Sequence, residues 1–302
     1  MDRRSFLLAA AAVPFALRTP RPPIALVTAD LESHVVAVEL GSGEVLRRIE
    51  TLPGPRSIER VGETALVAHT VLGAVTVLSG TTVRHVLHDF EEPRYTAASP
   101  DGRHAFVTDS GRVDVATVDV VRGEVVARLP LRLWPRHLSL SRDGRSLLVG
   151  LGTASPELAV VDVSNPRAPV HRGFVRPPFA AHDVGYAPSG RVWITAGEAK
   201  SISAHGRLLA ADGAPQHVTF LDGRAFVTSG ADGTLRVYEE ATARLLHRTP
   251  VPTGSYNVQF AAGRVLTPSL DAGTLCVLDA GGRLLGRSRV SRSSHDACLA
   301  GG

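Results

Sequence analysis

Pro135-Arg136-His137-Leu138-Ser139-Leu140-Ser141-Arg142-Asp143-Gly144-Arg145-Ser146-Leu147-Leu148-Val149-Gly150 is the stretch that decides the fold. Leu138 and Leu140 alternate with small polar residues at the two-residue period of a half-buried strand, Asp143-Gly144 is a hairpin-turn dipeptide, and Ser146 to Val149 make a second short apolar run. The stretch reads as strand, tight turn, strand. It recurs as Pro93-Arg94-Tyr95 with Pro100-Asp101-Gly102-Arg103, as His182-Asp183-Val184 with Ser189-Gly190-Arg191, and as Pro215-Gln216-His217 with Asp222-Gly223-Arg224. Weaker copies start at Pro55-Arg56-Ser57, Tyr256-Asn257-Val258 and Ser294-His295-Asp296.

Aligned on the residue that opens the first strand, the copies fall at Ser57, Tyr95, His137, His182, His217, Asn257 and His295, with gaps of 38, 42, 45, 35, 40 and 38 residues. That period fits one four-stranded propeller blade per copy. Third strands follow, as at Glu157 to Val163 and Thr274 to Leu278, then fourth strands, as at Glu124 to Leu129 and Arg283 to Ser288. No amphipathic helix is expected after the first residues. The chain ends on a lone opening strand from His295, while Ile24 to Ala29, His34 to Leu40 and Glu44 to Thr51 supply three strands that lack one. Joining them completes a seventh blade and leaves no open sheet edge. The expected fold is all-β, a seven-bladed β-propeller over residues 24–302, closed by the C-terminal strand joining three N-terminal strands.

Phe106-Val107-Thr108-Asp109, Phe226-Val227-Thr228-Ser229 and Leu26-Val27-Thr28-Ala29 resemble the Tyr-Val-Thr-Asn strand of YVTN-type propeller repeats, and Pro93 to Gly102 keeps that family's hairpin phrase. The resemblance covers residues 24–302; the Gly-His and Trp-Asp dipeptides of WD40 repeats are absent. It implies a central channel and a family with mixed uses, among them sugar-lactone hydrolysis, streptogramin lyase chemistry and binding roles. No single activity carries over.

Asp2-Arg3-Arg4-Ser5-Phe6-Leu7-Leu8 and the apolar Ala9 to Val13 resemble a twin-arginine export signal, so residues 1–23 read as leader and linker and the protein as exported to the periplasm or cell envelope. The apolar run, interrupted by Pro14, is too short to span a bilayer, and no stable span is expected once the leader leaves. Losing residues 1–20 removes Arg3, Arg4 and Arg18 against Asp2, which takes the net charge from +4 to +2. Lys200 is the one lysine, and the arginines are scattered among acids without a basic block, which argues against nucleic acid as a partner. Cys276 and Cys298 read as strand residues of neighbouring blades, either buried thiols or, in an exported protein, a disulfide.

Four of the seven opening positions are histidine although the chain has 12 in 302 residues, and the four cluster on one arc interrupted only by Asn257. His137, His182 and His217 would form a facial set of imidazoles, with His295 a fourth, able to hold zinc, copper or iron. Asp183 and Asp296 would fix the imidazole tautomers. Two other readings stand beside this one: histidines that cap the loop before each strand, and imidazoles that bind a small ligand. Arg56, Arg94 and Arg136 occupy the slot before the ring in three successive blades, and with Tyr95 and Asn257 would make an anion-binding mouth, or else point to solvent. His69, Asp109, Glu198 and Asp232, in loops between second and third strands, are candidates for its rim.

No Gly-x-Ser-x-Gly elbow or phosphate-loop spacing exists, and Cys298 should face away from His295, so nucleophilic catalysis is not expected. The function that follows is an exported, monomeric binding or scaffold protein with a small-ligand or metal site in its channel. Its alternatives are a metal-assisted hydrolase or lyase acting on a lactone-like substrate, and a platform for a cell-envelope protein partner.

Overall fold

The computed structural model describes residues 22–152, 156–197 and 199–301. The expected leader and Glu198 lie outside the described residues. Seven four-stranded antiparallel sheets form the ring, six of them from consecutive strands. Blades 1 to 6 span 57–87, 93–130, 135–175, 183–210, 218–250 and 259–289. The seventh takes its innermost strand from Ser294–Leu299, hydrogen-bonded to Ile24–Ala29, followed by His34–Glu39 and Val45–Glu50. The described residues include two short 3₁₀ turns, Thr70–Leu72 and Gly230–Asp232, and no helix long and apolar enough to cross a membrane.

The packing explains the composition. Seven apolar clusters, one at each seam between neighbouring blades, make up the core of the described residues. Each second strand is covered on both faces, so it reads as a continuous apolar run instead of an alternating one. In His104–Asp109, Ala105 and Val107 face the blade 1 seam while Phe106 faces blade 3. Val, Ala and Leu fill these thin seams, and the 5 % of aromatic residues is enough. Cys276 and Cys298 are free, buried thiols in two different seams, blades 5–6 and 7–1.

The second-strand threonine has a structural task. Thr108, fully buried, donates from Oγ1 to the Arg136 carbonyl of the next blade at 2.7 Å and accepts the Tyr95 N–H at 3.2 Å. Thr28 bonds the Arg56 carbonyl, Thr195 that of Gln216 and Thr228 that of Tyr256. The backbone groups freed where the inner strand bulges at the ring residue, as between Pro93 and Thr96 or Pro135 and Leu138, are thus paired across blades. Thr108→Val keeps shape and loses both bonds, leaving two buried backbone groups unpaired. The expected cost is about 1–3 kcal/mol in a denaturant melt; a change below about 0.5 kcal/mol would show the staple to be idle.

The seams are unequal. That between blades 3 and 4 rests on Leu148, Leu158, Ala181, Val184 and Ile194, whereas blades 6 and 7 share twelve buried apolar residues. Blade 4 is built from strands of only four residues, such as Asp183–Tyr186 and Val192–Thr195. With fewer buried apolar residues to hold it closed, this seam is expected to exchange its amides with solvent before those of blades 6 and 7. Equal protection in both seams would contradict this.

Candidate functional site

The inner strands of blades 2 and 3 bulge at the ring residue, and the ring lies within the channel and not at its rim: Ser57, His137, Asn257 and His295 are buried and Tyr95, His182 and His217 half-buried. His137 is 2 % exposed, Asn257 2 % and His295 4 %. His137, His182 and His217 come from three consecutive blades and meet: their candidate ligand nitrogens lie within 4.8 Å of one another. The His137 ring stacks on Tyr95 at 3.8 Å between centroids and meets the His217 ring edge-on at 4.5 Å. The backbone of each is held in place. The carbonyl before His137 is bonded by Thr108, the His182 N–H donates to the Thr195 carbonyl at 2.7 Å, and the His217 N–H donates to Thr228 Oγ1.

Neither ring nitrogen of His137, both buried, makes a hydrogen bond of ordinary geometry among the described residues; the His182 backbone offers only a weak contact. A buried polar atom left unpaired costs about 1–3 kcal/mol, and a fold that keeps one ordinarily uses it. Burial, helped by neighbouring His217, His182 and Arg136, holds the His137 imidazole well below its usual range, and burial does the same for His182. Both are neutral at physiological pH, the form that binds a metal. Asp183 Oδ2 lies 3.4 Å from His217 Nδ1 and also accepts the Val218 N–H at 3.0 Å, while Oδ1 accepts the Val184 N–H. With Nδ1 turned to this anchored carboxylate, Nε2 is the His217 nitrogen left to serve as a ligand. Asp183 thus does sit against an imidazole as expected, that of the ring residue of the following blade.

The same rule disposes of Asp296. Its carboxylate accepts the Ile58 and Ala297 N–H groups, and the ring slot of the following blade is Ser57, so it has no imidazole to orient. His295 stands apart from the three. Its Nδ1 donates to the Arg56 carbonyl at 2.9 Å, and Asn257 Nδ2 bonds the His295 carbonyl. His69 is not at a rim: it is fully buried, with Nδ1 on the Pro53 carbonyl and Nε2 on Thr76. Asp109 is also fully buried and caps the backbone N–H groups of Glu91 and Glu92. The arginines diverge. Arg56 pairs with Asp30, Arg94 with Glu92 and Ser110 over the Trp134 ring, and Arg136 is half-buried with an Nε that has no partner among the described residues.

The ring borders a cavity of about 620 Å³ in the channel. Tyr95, His137, His217 and Asp183 line one end, and the cavity follows the inner strands away from the arginines to Leu140, Arg142, Tyr186, Phe220 and Phe260. His182, Arg56, Arg94, Arg136, Asn257, His295 and His69 are not among its lining residues. Glu59 is, and the opening-residue pattern gave it no role, although Ile58 in the core puts Glu59 on the channel face by simple alternation. Burial, with Asp296 nearby, raises the Glu59 carboxyl to about 8, and burial raises Asp296 to about 7.

These groups set the pH of greatest stability. Below about pH 6.5 the unfolded chain protonates histidines that the folded protein keeps neutral, His137, His182 and His295, so their contribution is lost as pH falls. Glu59 and Asp296 work the other way: folding favours their protonated forms, and that contribution fades as pH rises from about 4 through their folded values near 8 and 7. Burial lowers His34 and His69 in the same direction, so five histidines outweigh the two carboxyls in mild acid and only the loss remains above; the melting temperature of the metal-free protein is expected to peak between about pH 6 and 7. A maximum below pH 5 or above pH 8 would contradict these assignments.

No protein-family profile and no curated protein matches the chain. Solved structures match it in fold. A functionally unknown protein from Desulfotomaculum acetoxidans DSM 771 superposes with a TM-score of 0.78 at 10 % identity, over 92 % of this chain and 98 % of that one. Apo AztD from Citrobacter koseri gives 0.69 at 13 % identity, over 93 % and 98 %. The hydrazine synthase of Kuenenia stuttgartiensis gives 0.70 at 16 %, over 89 % and 99 %. At such identities the likeness is one of fold, a seven-bladed propeller, and does not extend to the specific repeat family.

Proposed function

We propose that the protein binds a transition metal, zinc, copper or iron, through His137, His182 and His217, and works as an exported binding protein of the cell envelope. One observation carries the metal reading: three imidazoles from three successive blades converge, and the most buried of them, His137, has neither nitrogen in a hydrogen bond of ordinary geometry among the described residues. Imidazole suits zinc, copper and iron, and a set of three leaves a coordination position open. A tetrahedral zinc site with bonds of about 2.0–2.1 Å needs ligand nitrogens about 3.4 Å apart, so the rings must draw in from their 4.8 Å span on loading. Export rests on the Arg3-Arg4-Ser5-Phe6-Leu7 pattern. The test is elemental analysis of the folded protein after loading with each metal: one equivalent, lost in His137→Ala, supports the reading, and no metal under any loading condition removes it.

A second reading is favoured by Glu59, which lines the same cavity as His137 and His217. A metal at the histidines would polarise a lactone carbonyl, and a carboxyl held near neutrality would exchange the proton. Lactone hydrolysis by the loaded protein that is lost in Glu59→Gln, with metal retained, supports that reading.

A further inference from the structure

The cavity has two chemically distinct ends. At the ring level it presents His137, His217 and Asp183. Three residues further along four consecutive inner strands stand the apolar Leu140, Gly185, Phe220 and Phe260, with Arg142 and Tyr186 beside them. A strand advances about 3.3–3.4 Å per residue, which puts this apolar arc about 10 Å from the imidazoles.

The arc is built to be flat and open. Gly185 has an unremarkable backbone, but a Cβ there would come within 2.9 Å of the Phe220 ring, so glycine allows that ring to lie against the blade 4 strand. Phe260 is 55 % exposed on an innermost strand, where it lines the cavity and belongs to none of the seam clusters. A phenyl ring left wet beside a cavity of about 620 Å³ has apolar area to bury, and the volume is that of a small-molecule site. Charge selects the head of the ligand. Three neutral imidazoles leave a bound divalent ion with its charge uncompensated by any ligand carboxylate, so an anion is favoured at the open position.

We propose that the channel binds an amphiphilic organic acid, an arylalkanoate or one of like shape, with its carboxylate on the metal at His137, His182 and His217 and its apolar tail against Phe220 and Phe260. The head-group rests on the metal reading; the tail rests on the cavity alone. A tail of about 10 Å fits 4-phenylbutyrate, whereas acetate offers the same carboxylate with no tail.

Calorimetric titration of the zinc-loaded protein with these two acids tests the proposal. Each buried methylene contributes a factor of about 4 in affinity, so 4-phenylbutyrate is expected to bind at least about tenfold more tightly than acetate. Phe260→Ser, at an exposed position that should not disturb folding, is expected to shrink that advantage at least threefold with the zinc content unchanged. Equal affinities with one zinc bound, or an advantage indifferent to Phe260→Ser, would overturn the proposal and leave the metal reading intact. Should the protein take up no zinc, the metal reading fails by itself. The tail assignment then holds only if the metal-free protein still favours 4-phenylbutyrate in a Phe260-dependent way, and falls if it does not.

Discussion

His217→Ala is expected to weaken zinc binding by at least about a hundredfold while leaving the propeller folded. The imidazole supplies one of three donors, and its neighbour Asp183 is already held by the N–H groups of Val184 and Val218. Asp183→Asn should cost less, about 10–100-fold, because it removes the group that orients the ring and not a donor. The two variants together separate a metal site from a structural cluster. His217 touches Tyr95, His137 and His182, so as a mere packing residue its removal would lower the melting temperature and leave metal uptake as it was. Competition with a chelating dye measures the affinities. Equal zinc affinity in wild type and His217→Ala would contradict the assignment.

Ending the chain at Ser293 is expected to abolish cooperative folding. The strand Ser294–Leu299 is the innermost element of blade 7 and pairs with Ile24–Ala29 in the register Ala25 to Leu299, Leu26 to Cys298 and Val27 to Ala297. Its loss uncovers two seams at once, since Ala297 packs between blades 6 and 7 and Cys298 between blades 7 and 1. It also removes the Asp296 carboxylate from the Ile58 N–H and opens a sheet edge in the middle of the ring. Several unpaired backbone groups at about 1–3 kcal/mol each approach the whole stability of a domain, about 5–15 kcal/mol. The truncated protein should lack a cooperative thermal transition or aggregate. A melt within about 5 °C of the full-length protein would refute this role of the strand.

The blades were legible because a ring of sheets imposes its period on the chain. The phrase beginning Pro135-Arg136-His137 could be aligned seven times, and the unmatched strands at the two ends could be joined, without any knowledge of side-chain direction. The histidine cluster was legible for the same reason: His137, His182 and His217 hold one alignment slot in three successive blades, so the fold must bring them together. What could not be read was direction. In blades 2 and 3 a bulge at the ring residue inserts an extra residue, and this breaks the alternation that would tell which way Arg94 and Arg136 point. It also withdraws the ring from the mouth and leaves the cavity on the side away from the arginines. His69 looked like a rim residue because it ends a second strand, but the loop folds over it and buries it against Pro53 and Thr76. Which imidazole Asp183 serves is not legible in local spacing, because its carboxylate reaches into the next blade, to His217 and the Val218 N–H.

X-ray absorption at the zinc edge of the loaded protein tests the central claim most directly. Three imidazole nitrogens at about 2.0–2.1 Å, with the outer-shell scattering of imidazole rings and its loss in His137→Ala, is the predicted result. A zinc surrounded by oxygen alone, or an imidazole signal unchanged in His137→Ala, would place the metal elsewhere and contradict the account.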